Sequence, residues 1–312
     1  MRLISVIQLS RPVNLFIVAV TMYISRYVVL AEVLSKGGID SLKLSPLHFS
    51  ALVLSALLVT AAGNVINDYF DQRVDKINKP DRIIVGKKIN RKHAILIHQG
   101  LNILSFLLVF WVAASYHYWG VLLFPLATTF MLWWYSPVFK KKPLIGNLIV
   151  ALCTALVPVF AVICDLQILR EQLSLAIYSN DSLYSHAWLW ILGVSAFAFV
   201  LTMIREVVKD VQDEPGDRSE HYQTIPILWG IRNTKRYVIG WITVFFAMVV
   251  ACSFRMTNIT DIFWLLGCLV LPMLVALYRV YTAKSSSDFG KVSRWIKLVM
   301  LGGLVLMIGV LC

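Results

Sequence analysis

The stretch from residue 47 to residue 82 reads LHFSALVLSALLVTAAGNVINDYFDQRVDKINKPDR, an apolar run that ends in a row of aspartates. Its first part, residues 47–69, is long enough for a transmembrane helix, which needs about 20 mostly apolar residues. Asp68, Asp71 and Asp75 follow at steps of three and four, the spacing that places side chains on one face of a helix. The stretch therefore predicts a membrane-spanning helix with an acidic face at one end.

Apolar runs of similar length recur along the whole chain. Of its 312 residues, 59% are hydrophobic and 15% are charged, and the mean hydropathy is +0.74, whereas soluble domains are about 45–50% apolar and about 25% charged. This composition excludes a soluble domain, a disordered chain and a secreted disulfide-bonded scaffold. We predict an all-α polytopic membrane protein that forms a single domain over residues 1–312. Its nine transmembrane helices are predicted at residues 13–34, 47–69, 93–114, 118–135, 143–165, 187–208, 235–254, 260–281 and 293–311.

The basic residues predict how these helices are oriented. The net charge is +12, and 24 of the 29 Lys and Arg residues fall in the N-terminal segment and in the second, fourth, sixth and eighth loops. Because positive residues favour the cytoplasmic side, we expect a cytoplasmic N-terminus and an outside C-terminus, in the cell (inner) membrane. Arg26 is the one charge in the middle of a predicted span, and we expect it to pack or to form a pair within the protein.

A second acidic stretch repeats the pattern of the first. Residues 205–217 read REVVKDVQDEPGD, follow the sixth predicted span and share the predicted cytoplasmic side. Asp210, Asp213 and Asp217 repeat the spacing of the first three aspartates. Like charges along one helix face repel each other, and near a membrane they also lose hydration. Since Mg²⁺ takes one or two carboxylates together with phosphate oxygens, two facing stretches predict Mg²⁺ ions around one diphosphate.

Basic side chains surround both acidic stretches. Arg205 and Lys209 alternate with the acids of the second stretch, and we interpret them as phosphate-binding, catalytic cations. Further cations near the two stretches are Arg73, Lys79, Arg82, Arg218, Lys140, Lys141 and Lys142. The alternative interpretation is that such residues are solvated loop charges that set the topology, and it is favoured for Lys87, Lys88, Arg91 and Lys92.

At these residues the sequence resembles the UbiA-type intramembrane prenyltransferases. That family carries an N-D-x-x-D-x-x-x-D motif after its second helix and a D-x-x-x-D motif after its sixth. Here residues 67–75 read NDYFDQRVD and residues 213–217 read DEPGD. The resemblance covers essentially the full chain, and the family's nine-helix bundle agrees with the number of spans predicted above. It implies Mg²⁺-dependent transfer of a polyprenyl group from its diphosphate to a lipid-soluble acceptor.

The resemblance also implies roles for individual residues. The implied metal ligands are Asn67, Asp68, Asp71, Asp75, Asp210, Asp213 and Asp217, of which Asp71 and Asp213 are also catalytic. The implied substrate-binding residues are Asn14 in the opening RPVN, Arg82, and Tyr135, Lys140 and Asn147 between the fourth and fifth helices. One departure from the family pattern is Ile83, which stands where a proline is usual.

The motifs leave more than one acceptor open. The stretch REVVKDVQDEPGDRSEHYQTIP is most similar to the branch that holds digeranylgeranylglyceryl-phosphate synthases, chlorophyll synthases and homogentisate prenyltransferases. This implies a geranylgeranyl donor and geranylgeranylglyceryl phosphate as the acceptor. The alternative is an aromatic acceptor of quinone biosynthesis, namely homogentisate, 4-hydroxybenzoate or a naphthoate.

Functions of other classes fit the sequence less well. A membrane transporter would carry charges in the middle of its spans, lining a path, whereas the acids here lie at one end of two spans. The combined Asp, Gly and Arg motif of CDP-alcohol phosphotransferases is absent from the sequence. We expect contact with membrane lipid, no binding of nucleic acid, and we predict no protein partner.

Overall fold

The structure, a computed structural model, describes residues 3–39, 41–175, 181–254, 256 and 258–311. Within these ranges the description leaves out the side chains at positions 3, 4, 82, 173–175 and 181. The described chain is helical, with one isolated bridge between Val85 and Ile89. This confirms the predicted all-α class.

The helices follow one another along the chain with short connections. In chain order they are α1 (Leu3–Ser10), α2 (Pro12–Lys36), α3 (Pro46–Phe70), α4 (Gln72–Asn78), α5 (Arg91–Tyr116), α6 (Trp119–Tyr135), α7 (Ile145–Leu175), α8 (Asp181–Ser219), α9 (Ile225–Ser253), α10 (Ile259–Thr282) and α11 (Ser286–Leu311). Short 3₁₀ turns lie at Pro80–Arg82 and Phe139–Lys141. The first four residues of α6 are also 3₁₀.

Eight helices of the described chain are long and apolar enough to cross a membrane, namely α2, α3, α5, α7, α8, α9, α10 and α11. The predicted fourth span coincides with α6, which is apolar but shorter than the others. Several helices extend beyond the predicted spans: α8 begins at Asp181 and ends at Ser219, whereas the prediction was residues 187–208. Hydropathy detects only the apolar part of a helix, so the polar turns at its ends were missed.

The chain divides into two compact units. The first unit comprises Met1–Gln72, Ile83–Trp133 and Ala155–Ser195, and the second comprises Arg73–Arg82, Trp134–Thr154 and Ala196–Cys312. In the first unit, hydrogen bonds connect α3 and α5. The hydroxyl oxygens of Ser55 and Ser105 lie 2.7 Å apart, and the ring of His98 hydrogen-bonds the carbonyl oxygen of Ala62 at 2.9 Å.

A buried ion pair also lies in the first unit. Arg26, in a π-helical turn of α2, donates from Nε to Asp165 Oδ2 at 2.7 Å and from Nη2 to Asp165 Oδ1 at 3.2 Å. Asp165 Oδ1 accepts the backbone amides of Lys43 and Leu44, each at 2.7 Å, while Arg26 also donates to the carbonyl oxygen of Leu44. The two charged side chains are 1% and 0% exposed. The expectation that Arg26 forms a pair is therefore confirmed.

The core of the second unit lies between α8, α9, α10 and α11. Ile204, Phe245, Met273 and Ile296, one from each helix, are fully buried in it. The second acidic stretch continues directly from this packed part of α8. The aspartates of this stretch therefore lie on a helix that is held in place by apolar burial. Such burial contributes about 25 cal/mol to stability per Å² of apolar surface removed from water.

Candidate active site

The first acidic stretch is not one continuous helix. Helix α3 ends at Phe70, Asp71 lies at its C-cap with ψ near 0°, and α4 begins at Gln72. Asp68 therefore belongs to the last turn of α3, whereas Asp75 belongs to α4. The prediction of a single helical face through all three aspartates was wrong, because periodicity in the sequence continues through a break in the backbone.

Asp68 is paired with an arginine that precedes α2. Arg11 Nη2 lies 2.5 Å from Asp68 Oδ1, and both residues belong to the first unit. Arg11 has a left-handed backbone with φ 56°, and the side-chain amide of Asn64 holds the preceding carbonyl oxygen, that of Ser10, at 2.9 Å. Asn14, which was predicted to bind substrate, follows in the first turn of α2. Its backbone N–H donates to the carbonyl oxygen of Arg11 at 2.9 Å.

One side-chain oxygen of the first stretch lacks a hydrogen-bond partner within the described part of the chain. Asn67 Oδ1 is buried and accepts no hydrogen bond from the described residues. The neighbouring Asp71 side chain is 4% exposed. A buried acceptor that receives no hydrogen bond costs about 1–3 kcal/mol, a cost that a bound cation removes. This donor chemistry, amide and carboxylate oxygen, is the chemistry that Mg²⁺ prefers.

The second acidic stretch lies on the continuous helix α8, as the spacing predicts. Asp210 Oδ2 accepts a hydrogen bond from Asn147 Nδ2 at 2.8 Å, and Asp213 Oδ1 forms an ion pair with Lys79 Nζ at 2.7 Å. Asp217 is buried, with 3% exposure. These residues all belong to the second unit. Asn147, predicted to bind substrate, is thus in direct contact with a predicted metal ligand.

The segment that follows the first motif contacts the second motif within the second unit. Asn78, the last residue of α4, donates from Nδ2 to the carbonyl oxygen of Asp213 at 2.8 Å. Its Oδ1 accepts the amide of Gly216 at 2.9 Å. Lys79 adds the ion pair with the Asp213 carboxylate. Residues 73–82, which include Asp75, are therefore attached to the end of α8 by side chains that the sequence prediction did not assign to the site.

The two predicted catalytic cations both contact a carboxylate that the prediction did not include among the site residues. Arg205 Nη1 contacts Glu206 Oε1, and Lys209 Nζ lies 3.1 Å from Glu206 Oε2. Glu206 is buried, and Arg205 Nε is buried without a hydrogen-bond partner in the described chain. A sequence signal for Glu206 was present, because it lies one position after Arg205 and three positions before Lys209.

Two further predicted substrate-binding residues, Tyr135 and Lys140, lie shortly before the start of α7, in the second unit. Tyr135 ends α6, Lys140 lies in the 3₁₀ turn that follows, and Gly146 is in the first turn of α7. A Cβ atom on Gly146 would lie 3.1 Å from Lys140 Cα and 3.4 Å from the Tyr135 ring, so glycine permits this close approach. The backbone of Arg82 ends the turn Pro80–Arg82, and its side chain lies outside the described residues.

Among the described residues, no group of three or more His, Cys, Asp or Glu side chains is assembled closely enough to hold a metal ion. Arg11 and Lys79 instead neutralise Asp68 and Asp213. The carboxylate and amide oxygens of the two stretches are nevertheless the type of ligand that a hard divalent cation prefers. Among the described residues, Asn67 Oδ1 is such an oxygen without a hydrogen-bond partner.

Long apolar helices, two of which end in aspartate-rich segments, define an integral, multi-pass membrane protein. A family model described as the UbiA prenyltransferase family matches residues 28–301. The chain therefore belongs to the UbiA prenyltransferase family, as the motifs predicted. The protein is an enzyme, a membrane-embedded prenyltransferase.

Relatives and solved structures extend this similarity along the chain. The digeranylgeranylglyceryl phosphate synthase of Methanothermobacter thermautotrophicus is 30% identical over 303 residues, which cover 94% of this chain and 91% of that protein. A solved structure of digeranylgeranylglyceryl phosphate synthase in membranes has a TM-score of 0.64 at 21% identity, covering 99% of this chain and 98% of that one. A UbiA homologue from Archaeoglobus fulgidus, bound to GPP and Mg²⁺, has a TM-score of 0.60 at 16% identity, covering 97% and 99%. At these identities the two structures establish the shared fold.

Proposed function

We propose that the protein transfers a geranylgeranyl group from its diphosphate to geranylgeranylglyceryl phosphate in a Mg²⁺-dependent reaction. The observation that carries the proposal is the attachment of residues 73–82 to the end of α8, which joins the segment after the first motif to Asp213. The name of the Methanothermobacter relative supports this acceptor. The structure of the Archaeoglobus homologue with GPP and Mg²⁺ supports the donor class and the metal.

In this proposal the two acidic stretches hold Mg²⁺. The metal ligands are Asn67, Asp68, Asp71, Asp75, Asp210, Asp213 and Asp217. When bound, Mg²⁺ neutralises the diphosphate and stabilises the charge that develops on the leaving oxygen. Asp71 and Asp213 are the ligands whose loss we expect to be most costly, since the Asp71 side chain is buried and the Asp213 carboxylate pairs with Lys79.

The remaining site residues act on the organic substrates. Arg82, Lys140, Arg205 and Lys209 stabilise the diphosphate as the allylic carbon–oxygen bond breaks and its electron pair leaves with the diphosphate. The acceptor hydroxyl oxygen then bonds to the allylic carbon, and its proton passes to the departing diphosphate. Asn14, Tyr135 and Asn147 orient the substrates. Each buried CH₂ of the isoprenoid contributes about 0.8 kcal/mol, which favours a site open to the membrane interior.

The membrane arrangement is part of the proposal. We infer nine transmembrane helices, with α6 as the fourth, which together act as one domain over residues 1–312. The clustering of basic residues in alternate loops supports a cytoplasmic N-terminus, an outside C-terminus and an active site that faces the cytoplasm. The location proposed is the cell (inner) membrane. Labelling of single cysteines at the exposed residues 86–88 and at the exposed residue 258, from each side of sealed vesicles, tests this orientation.

The activity is tested with purified protein, geranylgeranyl diphosphate and Mg²⁺. The acceptor panel contains geranylgeranylglyceryl phosphate, homogentisate, 4-hydroxybenzoate and a naphthoate, and mass spectrometry identifies the product. We expect a prenylated glyceryl phosphate, and a loss of about 100-fold or more in rate for Asp71→Ala and Asp213→Ala. Asp261→Ala, in the first turn of α10, is the control.

Each outcome of this experiment has a distinct meaning. Product from an aromatic acceptor alone would refute the proposed acceptor and leave the prenyl transfer standing. Near-normal turnover by both aspartate variants would refute the proposed site. Transfer without Mg²⁺ would refute the role of the metal.

A further inference from the structure

Asn78 lies outside both aspartate motifs, yet its side chain connects the end of α4 to the second motif within the second unit. Both ends of a single side-chain amide are used: Nδ2 donates to the carbonyl oxygen of Asp213 at 2.8 Å, and Oδ1 accepts a hydrogen bond from the backbone amide of Gly216 at 2.9 Å. We call these two hydrogen bonds the Asn78 latch. Both bonds reach the backbone of α8, so they hold the helix itself and not a flexible side chain.

Gly216 permits the close approach that the latch requires. A Cβ atom at this position would lie 2.5 Å from Asn78 Nδ2 and 2.8 Å from the carbonyl oxygen of Val74. Any larger residue would therefore push α4 away from α8. Pro215, immediately before Gly216, lies inside the helix and has no amide hydrogen. The chain at this point is thus shaped to receive α4.

Helix α4 depends on this attachment because it is too short to be stable alone. It has seven residues, whereas isolated helices shorter than about 12–15 residues are marginal in water. It carries Asp75, and its partner segment carries Asp213 and Asp217. If α4 is released, Asp75 loses its fixed position relative to the other two carboxylates.

We propose that Asn78 is a positioning residue that holds Asp75 in register with Asp213 and Asp217 for the diphosphate and its metal ions. This inference rests on the proposed function. Asn78 acts through the backbone that carries these ligands and has no direct contact with substrate in the proposal. Loss of a group that orients metal ligands typically lowers metal affinity or activity by about 10- to 100-fold.

The test compares Asn78→Ala with a matched control, Asn233→Ala. Asn233 is exposed on α9, where its Nδ2 donates to the carbonyl oxygen of Trp229 at 3.0 Å, so the control removes the same kind of bond away from the acids. We expect Asn78→Ala to lower kcat/KM by about 10-fold or more and to raise the Mg²⁺ concentration needed for half-maximal rate by a similar factor. Asn233→Ala should change neither by more than about 2-fold.

A second measurement tests the Asn78 latch independently of the enzyme's prenyl-transfer activity. Limited trypsin digestion in detergent cleaves after Arg73 and Lys76, both exposed on α4, and such cleavage requires local opening of the helix. Asn78→Ala should be cut there about 5-fold faster or more, while cleavage after the exposed Lys284 stays unchanged. A mutation that merely lowered overall stability would accelerate cleavage at both places.

A double variant tests whether Asn78 and Gly216 act as one unit. Gly216→Ala alone should reproduce the losses of Asn78→Ala, and the double variant should be within about 2-fold of Gly216→Ala, because coupled residues are not additive. Independent, multiplied losses would overturn the latch, as would wild-type kinetics and cleavage in Asn78→Ala. An activity loss without faster cleavage of α4 would overturn it too.

Failure of the proposed function is distinguishable from failure of the latch. If the unaltered protein transfers no prenyl group, the proposed function and the positioning role are both refuted. The digestion experiment would still decide whether Asn78 holds α4 on α8.

Discussion

Replacing Asp165 by alanine removes the acceptor of four hydrogen bonds from the interior of the first unit. Two of these come from Arg26 and two from the backbone amides of Lys43 and Leu44. The variant leaves a guanidinium that is 1% exposed without its counter-charge. It also leaves two amide donors with no replacement acceptor on the substituted side chain.

The magnitude follows from these lost contacts. Removing one partner of a buried ion pair costs about 3–5 kcal/mol, and each buried donor left unsatisfied adds about 1–3 kcal/mol. We therefore expect a loss of about 5 kcal/mol or more in the free energy of unfolding. At about 2–4 °C per kcal/mol for a unit of this size, the melting temperature should fall by about 10 °C or more.

Thermal unfolding in detergent, followed by intrinsic tryptophan fluorescence, measures the change. The control is Glu32→Ala, which removes an exposed pair with Lys36 whose side chains are 32% and 72% exposed. Such a pair contributes about 0.3–0.5 kcal/mol. The double variant Arg26→Met with Asp165→Asn should be more stable than Asp165→Ala, because Asn keeps an oxygen for both amides and no buried charge remains. A melting temperature of Asp165→Ala equal to that of the control would refute the reasoning.

Two further predictions concern the second unit. Gly302→Ala should lower the free energy of unfolding by about 1–3 kcal/mol, because the added Cβ would clash with the carbonyl oxygen of Cys268. The control Gly303→Ala places its Cβ 3.6 Å from the nearest side chain and should change the free energy by less than about 0.5 kcal/mol. Equal melting temperatures for the two variants would contradict this packing. Asn147→Leu removes the hydrogen bond to Asp210 and should lower the prenyl-transfer rate by about 10- to 100-fold; an unchanged rate would show that Asp210 needs no such support.

The sequence predicted those features that depend on neighbouring residues along the chain. Apolar runs located the helices, since burial in lipid requires about 20 apolar residues whatever the tertiary fold. The three- and four-residue steps in the second stretch predicted one helical face, and Asp210, Asp213 and Asp217 do lie on the continuous helix α8. Arg26 was expected either to pack or to form a pair, and it forms a buried pair with Asp165.

Contacts between distant parts of the chain could not be predicted in this way. Asn78 and Asp213 are 135 positions apart, and Arg11 and Asp68 are 57 apart, so no periodicity connects them. The break at Asp71 was missed for a related reason: spacing alone cannot distinguish one helix from two helices joined at a cap. Glu206 was not predicted as a site residue. Arg205 and Lys209 were interpreted as cations that bind the diphosphate, and not as partners of a neighbouring carboxylate.

The uninterrupted course of α8 has a consequence for how this chain tolerates insertions and deletions. The helix has 39 residues, or about 58 Å at 1.5 Å per residue, almost twice the thickness of the hydrocarbon layer. Each residue adds about 100° of rotation. Gaining or losing one residue before Asp210 would therefore rotate every later carboxylate away from α4. Chimaeras between members of this family should accordingly exchange α8 whole, with crossover points placed in the loops on either side.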